Sequence, residues 1–405
     1  MPVRKKSVAL VHVAHYFAAA LLALYCAAHL GSCAVPLSQL PAEGQLVGQW
    51  VRTTVDSEIA RYYLEHYLAG EWVDPELHTR LRSVERQTRN VEFTRSALRE
   101  ISQRFSPDLA TLLFAHELLR RHDNRWMYRA FQRESRRLVR RVSAGRRLPQ
   151  AQDSDPLLLF APGWLYATLD SGADFARQRE VLSKMGFATR LIKIDENGRV
   201  AANAALIADE IRRFSRYGRD IILISVSKGG PEAAFALGHL LAPSETCAVK
   251  AWINVGGLLR GTPLADSAFQ WPRSWLARAY FFYKGWSFKG IASLTRARSD
   301  RRLGQISIPE HVLLVNYVGA PLSGQVLPGH TYDNYRSMRE LGPNDGLTLL
   351  ADELALDGIT LVELGLDHYF LDPLIDLKTA ALARVVIDRL NDVSAATAAP
   401  IPCAA

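Results

Sequence analysis

From residue 157 onward, short unbroken apolar runs alternate with longer segments of mixed polarity. The runs 157–161, 188–194, 221–225, 249–255, 311–318 and 359–364 have the length of strands. Runs so uniformly apolar suit strands buried on both faces. The segments near 174–185, 201–214, 231–241 and 374–390 read as helices. Strands and helices in this order predict an α/β domain over 151–393, a mostly parallel sheet with helices on both faces. In such sheets the chemistry gathers at the carboxyl ends of the strands.

The first 150 residues have a different texture. Between 57 and 142 they read as helices rich in Arg, Glu, Leu and Tyr, which predicts a helical region over 34–150. One helix opens at Glu58 behind Asp56 and Ser57, both good N-cap types. Another, 108–121, places Leu109, Leu112, Leu113, Leu118 and Leu119 near one face. The basic run 133–147 is expected to be a solvated helix face and linker, with contact to anionic lipid headgroups as the alternative. The polar stretch 150–156 reads as a hinge, and the tail 394–405 as disordered.

At the start of the chain, Arg4, Lys5 and Lys6 precede an apolar run over 8–30, the layout of an export signal. The run ends in Leu30-Gly31-Ser32-Cys33, which resembles the lipobox of bacterial lipoproteins. That resemblance implies a signal over 1–33 and a diacylglycerol on Cys33, placing the protein in the periplasm or outer membrane. An uncleaved inner-membrane anchor, or cleavage near Ser32 and secretion, are the alternatives. All three lead out of the cytoplasm.

Composition adds less. The 48% apolar and 22% charged content is that of a globular protein. A net charge of +8 favours anionic surfaces. No zinc-ligand spacing, RNA-binding signature or helix-turn-helix pattern accompanies it, which argues against a nucleic-acid partner. Four cysteines, Cys26, Cys33, Cys247 and Cys403, leave no disulfide framework once the terminal segments are set aside.

The run 221–225 leads straight into Ser225-Val226-Ser227-Lys228-Gly229, with Gly230 and Pro231 opening a helix. Small residues stand two before and two after Ser227, which would let a strand and a helix pass closely if the serine lay in a sharp turn. Pro231 suits the first turn of a helix, and the helix N-terminus directs its partial positive charge at the serine oxygen. A serine hydroxyl also needs a base to take its proton, and an acid to orient that base. His368, which follows the run 359–364, is a candidate base, and Asp345, in Pro343-Asn344-Asp345-Gly346-Leu347, a candidate acid. His330 is the alternative base. Asp333 and Glu363 are alternative acids, because Asp345 lies far beyond the strand ending near Val318. Asp367 is expected to be a surface carboxylate.

Together these segments resemble the α/β-hydrolase superfamily, and within it the bacterial serine lipases and esterases. The serine turn matches the G-x-S-x-G nucleophile elbow, with Ser225 replacing the first glycine. Asn344-Asp345-Gly346-Leu347 is similar to the acid-bearing segment of bacterial lipases. Arg260-Gly261-Thr262-Pro263-Leu264-Ala265-Asp266 is similar to their Arg-Gly-(Ser/Thr)-Pro-x-Ala-Asp segment, and Phe160-Ala161-Pro162-Gly163-Trp164 to their His-Gly-x turn, with proline for histidine. The resemblance covers roughly 157–390. It implies a catalytic triad of Ser227, Asp345 and His368 in the chain order of that fold. It also implies an oxyanion hole from the backbone amides of Lys228 and Trp164, with Leu165 close behind. Only the amide of Lys228 is expected to act, its side chain pointing to solvent. The insertion over about 262–305 mixes Trp271, Trp275, Tyr280, Phe281, Phe282 and Trp286 with Arg and Lys. It is expected to form a helical cap that binds an acyl chain or meets a membrane surface, packed helices being the plainer alternative. The expected activity is that of a serine hydrolase, esterase- or lipase-like, cleaving an apolar ester or lipid through an acyl-enzyme on Ser227. No metal or organic cofactor is implied. An envelope acyltransferase or thioesterase using the same triad, and a non-catalytic scaffold of the same fold, are the alternatives.

Overall fold

The computed structural model describes residues 39–88, 94–152, 155–169, 171–326 and 329–396. The export segment with Cys33, and the tail beyond residue 396, lie outside them. In chain order the strands are β1 (Leu40–Leu46), β2 (Gln49–Val55), β3 (Leu157–Ala161), β4 (Thr189–Leu191), β5 (Ile221–Val226), β6 (Val249–Val255), β7 (Leu313–Ala320) and β8 (Ile359–Leu364). The last six form one sheet, every pair parallel, in the spatial order β4-β3-β5-β6-β7-β8.

Alternate residues of each central strand enter different cores. Leu158, Phe160, Ile222 and Ile224 pack with Phe131, Leu182 and Val386 on one face. Leu159, Leu223 and Trp252 pack with Ala204, Ile207, Ile211 and Ala234 on the other. With both faces covered, neither face needs polar residues, which is why the strands read as unbroken apolar runs. The strand order and the helices on both faces give the α/β-hydrolase fold. Its order reverses between β3 and β5, so the loops leaving those two strands diverge and leave a crevice at the carboxyl rim.

The region expected to be helical opens instead with a β-hairpin, β1 paired antiparallel with β2. Its two-residue turn, Val47-Gly48, has φ of 50° and 85°, the left-handed pair that matches the twist of a tight hairpin. Helices follow. Glu58–Tyr62 is capped by Ser57, whose hydroxyl accepts the Ala60 N–H at 3.3 Å. Pro107–Arg120 is capped by Ser106, which accepts the Leu109 N–H at 2.9 Å. The second helix is buried nearly all round, not along one stripe. Its leucines and Phe114 share a core with Val55 and Ile59 on one side and with Val318, Ala320, Val362 and Leu364 of β7 and β8 on the other.

The N-terminal region therefore completes the sheet. It packs on β8, the edge strand, and Asn124 accepts the Thr360 N–H at 2.8 Å, pairing a backbone donor that the open edge would expose. The stretch expected as a hinge is also packed, the Ala151 N–H donating to Met185 O at 2.7 Å. Helix His122–Ser143 buries Met127, Tyr128, Phe131 and Leu138 and leaves Arg129, Arg133, Arg136 and Arg140 exposed, the solvated basic face expected there. The closing helix, Ile375–Ala396, runs past the point where the tail was expected to become disordered. Cys247 is disulfide-bonded.

Asp108 is the polar tie between the N-terminal region and the segment after β7. Fully buried, it accepts from the Ser323 N–H at 2.9 Å, the Asp56 N–H at 2.7 Å, the Tyr335 hydroxyl at 3.3 Å and the Ser323 hydroxyl. Burial, and after it the charge of Asp56, push its carboxyl up to about 7. A free aspartate titrates near pH 4, roughly its unfolded value. Between those limits the folded state holds a proton that the unfolded state has lost, so this group's contribution to stability falls as pH rises. Urea unfolding midpoints should therefore decline from about pH 4 to about pH 7, and Asp108→Asn should flatten part of that slope. An unaltered slope in the variant would show that Asp108 does not titrate in this range.

Candidate active site

β5 ends at Val226, and helix Gly229–Phe235 begins two residues after Ser227. Ser227 itself has φ of 54°, left-handed for a residue with a side chain, at a cost of about 1–2 kcal/mol. Hydrogen bonds hold it there: its N–H donates to Val255 O at 3.0 Å, and its carbonyl accepts from Gly230 at 3.0 Å and Leu258 at 3.1 Å. The helix passes so close to β3 that a Cβ at Gly229 would stand 2.6 Å from Pro162 O and 2.7 Å from Ala161 O. Only glycine fits. Ser225, where the motif usually has glycine, is fully buried; its hydroxyl accepts from Trp252 Nε1 at 2.8 Å and donates to Asn254 Oδ1 at 3.4 Å. Asn254 in turn donates to Asn316 Oδ1 at 3.1 Å. A buried polar ladder thus crosses β5, β6 and β7 beneath the turn.

His368 leaves the end of β8 and places Nε2 3.0 Å from Ser227 Oγ. Its Nδ1 is hydrogen-bonded to Asp345 Oδ2. The other oxygen of Asp345 accepts the N–H groups of Leu347 at 2.8 Å and Thr348 at 2.7 Å, and the Asp345 carbonyl accepts the His368 N–H at 2.9 Å. Both side chains are buried. The long interval between β7 and Asp345 is filled by helix His330–Met338 and the turn Arg339–Leu341, after which an Asn344–Leu349 bridge closes the acid loop. The structure thus brings Ser227, His368 and Asp345 together. Among the alternatives, Asp333 is exposed on that helix and His330 begins it. Glu363 is bound to the Tyr317 hydroxyl and Lys378. Asp367 corrects an expectation: it is buried, accepting the Tyr369 N–H at 3.0 Å. Burial, with the charge of Asp345, raises its carboxyl above the usual range.

The turn after β3 lies against the serine, Gly163 leaving space for a Cβ only 3.4 Å from Ser227 Cβ. Leu165 has φ of 52° and donates its N–H to Glu196 O at 3.4 Å. Among the described residues the Trp164 and Lys228 N–H groups, in the turns that hold Gly163 and Ser227, have no backbone acceptor. The side chain of Lys228 corrects another expectation. It is 1% exposed and ion-paired with Glu232 one helical turn on. Asn203 donates to the same carboxylate at 2.8 Å. Desolvation pushes Glu232 up to about 7 in spite of Lys228, and lowers the nearby Arg302 guanidinium to about 10. The sequence carried a signal for this pair in the i, i+4 spacing of Lys228 and Glu232, but an exposed helix pair has the same spacing.

The insertion between β6 and β7 forms helices Pro263–Ser267, Arg273–Tyr283, Phe288–Ala292 and Arg296–Leu303. Phe281 stacks on Trp164 with centroids 6.0 Å apart, and Trp286 meets the same indole edge-on at 5.5 Å. Among the described residues no cluster of His, Cys, Asp and Glu is arranged to hold a metal ion, and no helix is long and apolar enough to cross a membrane. The arrangement can withdraw a proton from a serine hydroxyl.

No family model matches the chain, and no curated protein matches it. Solved structures resemble part of it. The mature lipase BlEst2 of Bacillus licheniformis is 22% identical, with 60% of this chain and 94% of that chain covered and a TM-score of 0.48. The metagenomic carboxyl esterase MGS0156 is 20% identical, with 62% and 80% covered and a TM-score of 0.47. The Staphylococcus hyicus lipase is 12% identical, with 61% and 100% covered and a TM-score of 0.47.

Removing the Ser225 hydroxyl would leave the buried Trp252 N–H without its acceptor. Ser225→Ala should therefore lower unfolding free energy by about 1–3 kcal/mol in urea titrations. A variant as stable as the parent would show that this ladder contributes nothing.

Proposed function

We propose that this chain is an exported serine hydrolase that cleaves esters of apolar acyl groups at a membrane surface. The observation that carries this reading is the unbroken line of contacts from Ser227 Oγ through the His368 ring to Asp345. In the proposed reaction, His368 Nε2 takes the hydroxyl proton as Ser227 Oγ bonds to the ester carbonyl carbon. The Lys228 and Trp164 amides donate to the resulting oxyanion. As the tetrahedral intermediate collapses, the bond to the alcohol oxygen breaks and His368 gives its proton to the leaving alcohol. Water, deprotonated by the same nitrogen, then attacks the acyl carbon, releasing the acid and returning the proton to Ser227. Asp345 keeps the imidazole in the required tautomer and stabilises its cation.

The cap supports the substrate class. Its helix Arg273–Tyr283 buries Phe281 against Trp164 while exposing its opposite face and flanks, with Trp271 at 85%, Phe282 at 89% and Tyr283 at 82% exposure. Arg273, Arg278 and Lys284 stand among these aromatics. Aromatic rings beside long basic side chains suit the headgroup layer of a membrane. Export is supported by the basic-then-apolar layout of the first 33 residues, with Cys33 the proposed site of lipid attachment.

Ser227→Ala should lower the hydrolysis of short p-nitrophenyl esters by on the order of 10⁴-fold or more, with the thermal unfolding transition retained. It should also abolish labelling by a fluorophosphonate. A rate equal to that of the parent protein would overturn the proposed mechanism.

A further inference from the structure

We propose that Glu353 is a positioning residue for this site, a carboxylic acid kept protonated so that it donates a hydrogen bond to Asp345. The inference rests on the proposed serine hydrolase reading for its function, though not for its chemistry.

Helix Leu350–Glu353 follows the acid loop directly, and the Leu350 N–H donates back to Pro343 O at 2.9 Å. That return brings the Glu353 side chain against the carboxyl of Asp345. Both are buried, Glu353 completely. Its chain neighbour Asp352 is equally buried but has a cation: it is ion-paired with Arg95, with Arg260 and Arg296 nearby. Glu353 has none. Among the described residues neither of its oxygens accepts a hydrogen bond, and the charged groups that face it are Asp345 and Asp352.

Two buried carboxylates in contact cannot both keep their charge, so one takes a proton. Asp345 already receives two backbone N–H groups and the His368 ring, all of which favour its ionised form. The proton therefore belongs on Glu353, where it turns an acceptor without donors into a donor with one acceptor. This gives one of the two unpaired oxygens a partner and accounts for the contact with a second carboxyl. Burial, and after it the charge of Asp345, raise the Glu353 carboxyl well above its usual range. The pair then carries one negative charge, and Asp345 is held from four directions.

The experiment uses the full chain with Glu353→Gln and Glu353→Met. Infrared difference spectra of the parent against Glu353→Gln, at about pH 8, where a free carboxyl is ionised, should contain the carbonyl band of a protonated carboxylic acid. Absence of that band overturns the proposal, whatever the activity. Labelling of Ser227 by a fluorophosphonate is then followed across pH. Glutamine keeps an N–H donor and should preserve the acidic limb of the profile. Methionine removes the donor from the Asp345 carboxylate, and should move that limb to higher pH and slow labelling roughly tenfold. An acidic limb displaced to lower pH by glutamine would mean that a negative charge had been lost, and so that Glu353 was ionised. A methionine variant with the parent's profile would deny Glu353 any positioning role. A parent protein that shows the infrared band but takes no label would defeat the hydrolase reading and leave the protonation of Glu353 standing.

Discussion

The proposed chemistry depends on one strained backbone torsion, the left-handed φ at Ser227. A side-chain-bearing residue pays for that conformation by about 1–2 kcal/mol, and it persists only because the surroundings hold it. β5 is anchored between β3 and β6, and the helix after it starts without a loop. The serine's own N–H and carbonyl are both tied to the chain around Val255–Leu258. With the backbone fixed, the hydroxyl projects from the strand end instead of lying along it, within reach of a ring from β8. The need for small neighbours follows from the same geometry. Gly229 is required by the carbonyls of Ala161 and Pro162, whereas position 225 tolerates a serine because Trp252 and Asn254 bond its hydroxyl.

The second constraint is the distance along the chain between β7 and the acid. A carboxylate reached through a long excursion is only as well placed as the segment that carries it. Here the N-terminal region supplies the bracing. Asp108 holds Ser323 and Tyr335, Arg339 is bonded to Asp56 at 2.8 Å, and Arg95 is paired with Asp352, seven positions beyond Asp345. Arg95 also reaches Asp300 of the insertion at 3.1 Å. Three polar ties therefore run from the N-terminal region to the two sides of the acid loop, in addition to the shared apolar core. Charged side chains do this work at buried positions because they meet partners there; an unpaired one would be destabilising.

Much of this was legible in the sequence, for identifiable reasons. Strands buried on both faces carry no polar alternation, so the runs beginning at Leu157, Ile221, Val249 and Ile359 stood out, and their bounds match closely. The small-x-Ser-x-small turn was visible because its constraint is local and steric. What was missed depends on tertiary partners. The hairpin at Leu40–Val55 contains Pro41 and Gly44, residue types unfavourable inside strands, and its Val47-Gly48 turn lacks the usual Asn-Gly signal. Lys228 and Asp367 look like surface residues to any reading that cannot see Glu232 or the closed rim. Glu353 is one of two adjacent acids, Asp352 and Glu353, and nothing local distinguishes the one with a guanidinium from the one without.

Trp164 joins the remaining parts of the site. Its backbone N–H has no backbone acceptor among the described residues, while its indole lies beneath Phe281 and Trp286 of the cap. The residue after it, Leu165, is itself left-handed and bonded to Glu196, so the turn carrying that N–H is anchored from behind. A cap packed on the Trp164 ring therefore rests on the same turn that presents the amide. On the proposed reading, an apolar acyl chain would lie against those rings, placing its ester carbonyl between the amide of Trp164 and the hydroxyl of Ser227. The cap would then act through contact with the substrate and with the donor turn together, because both meet at one side chain.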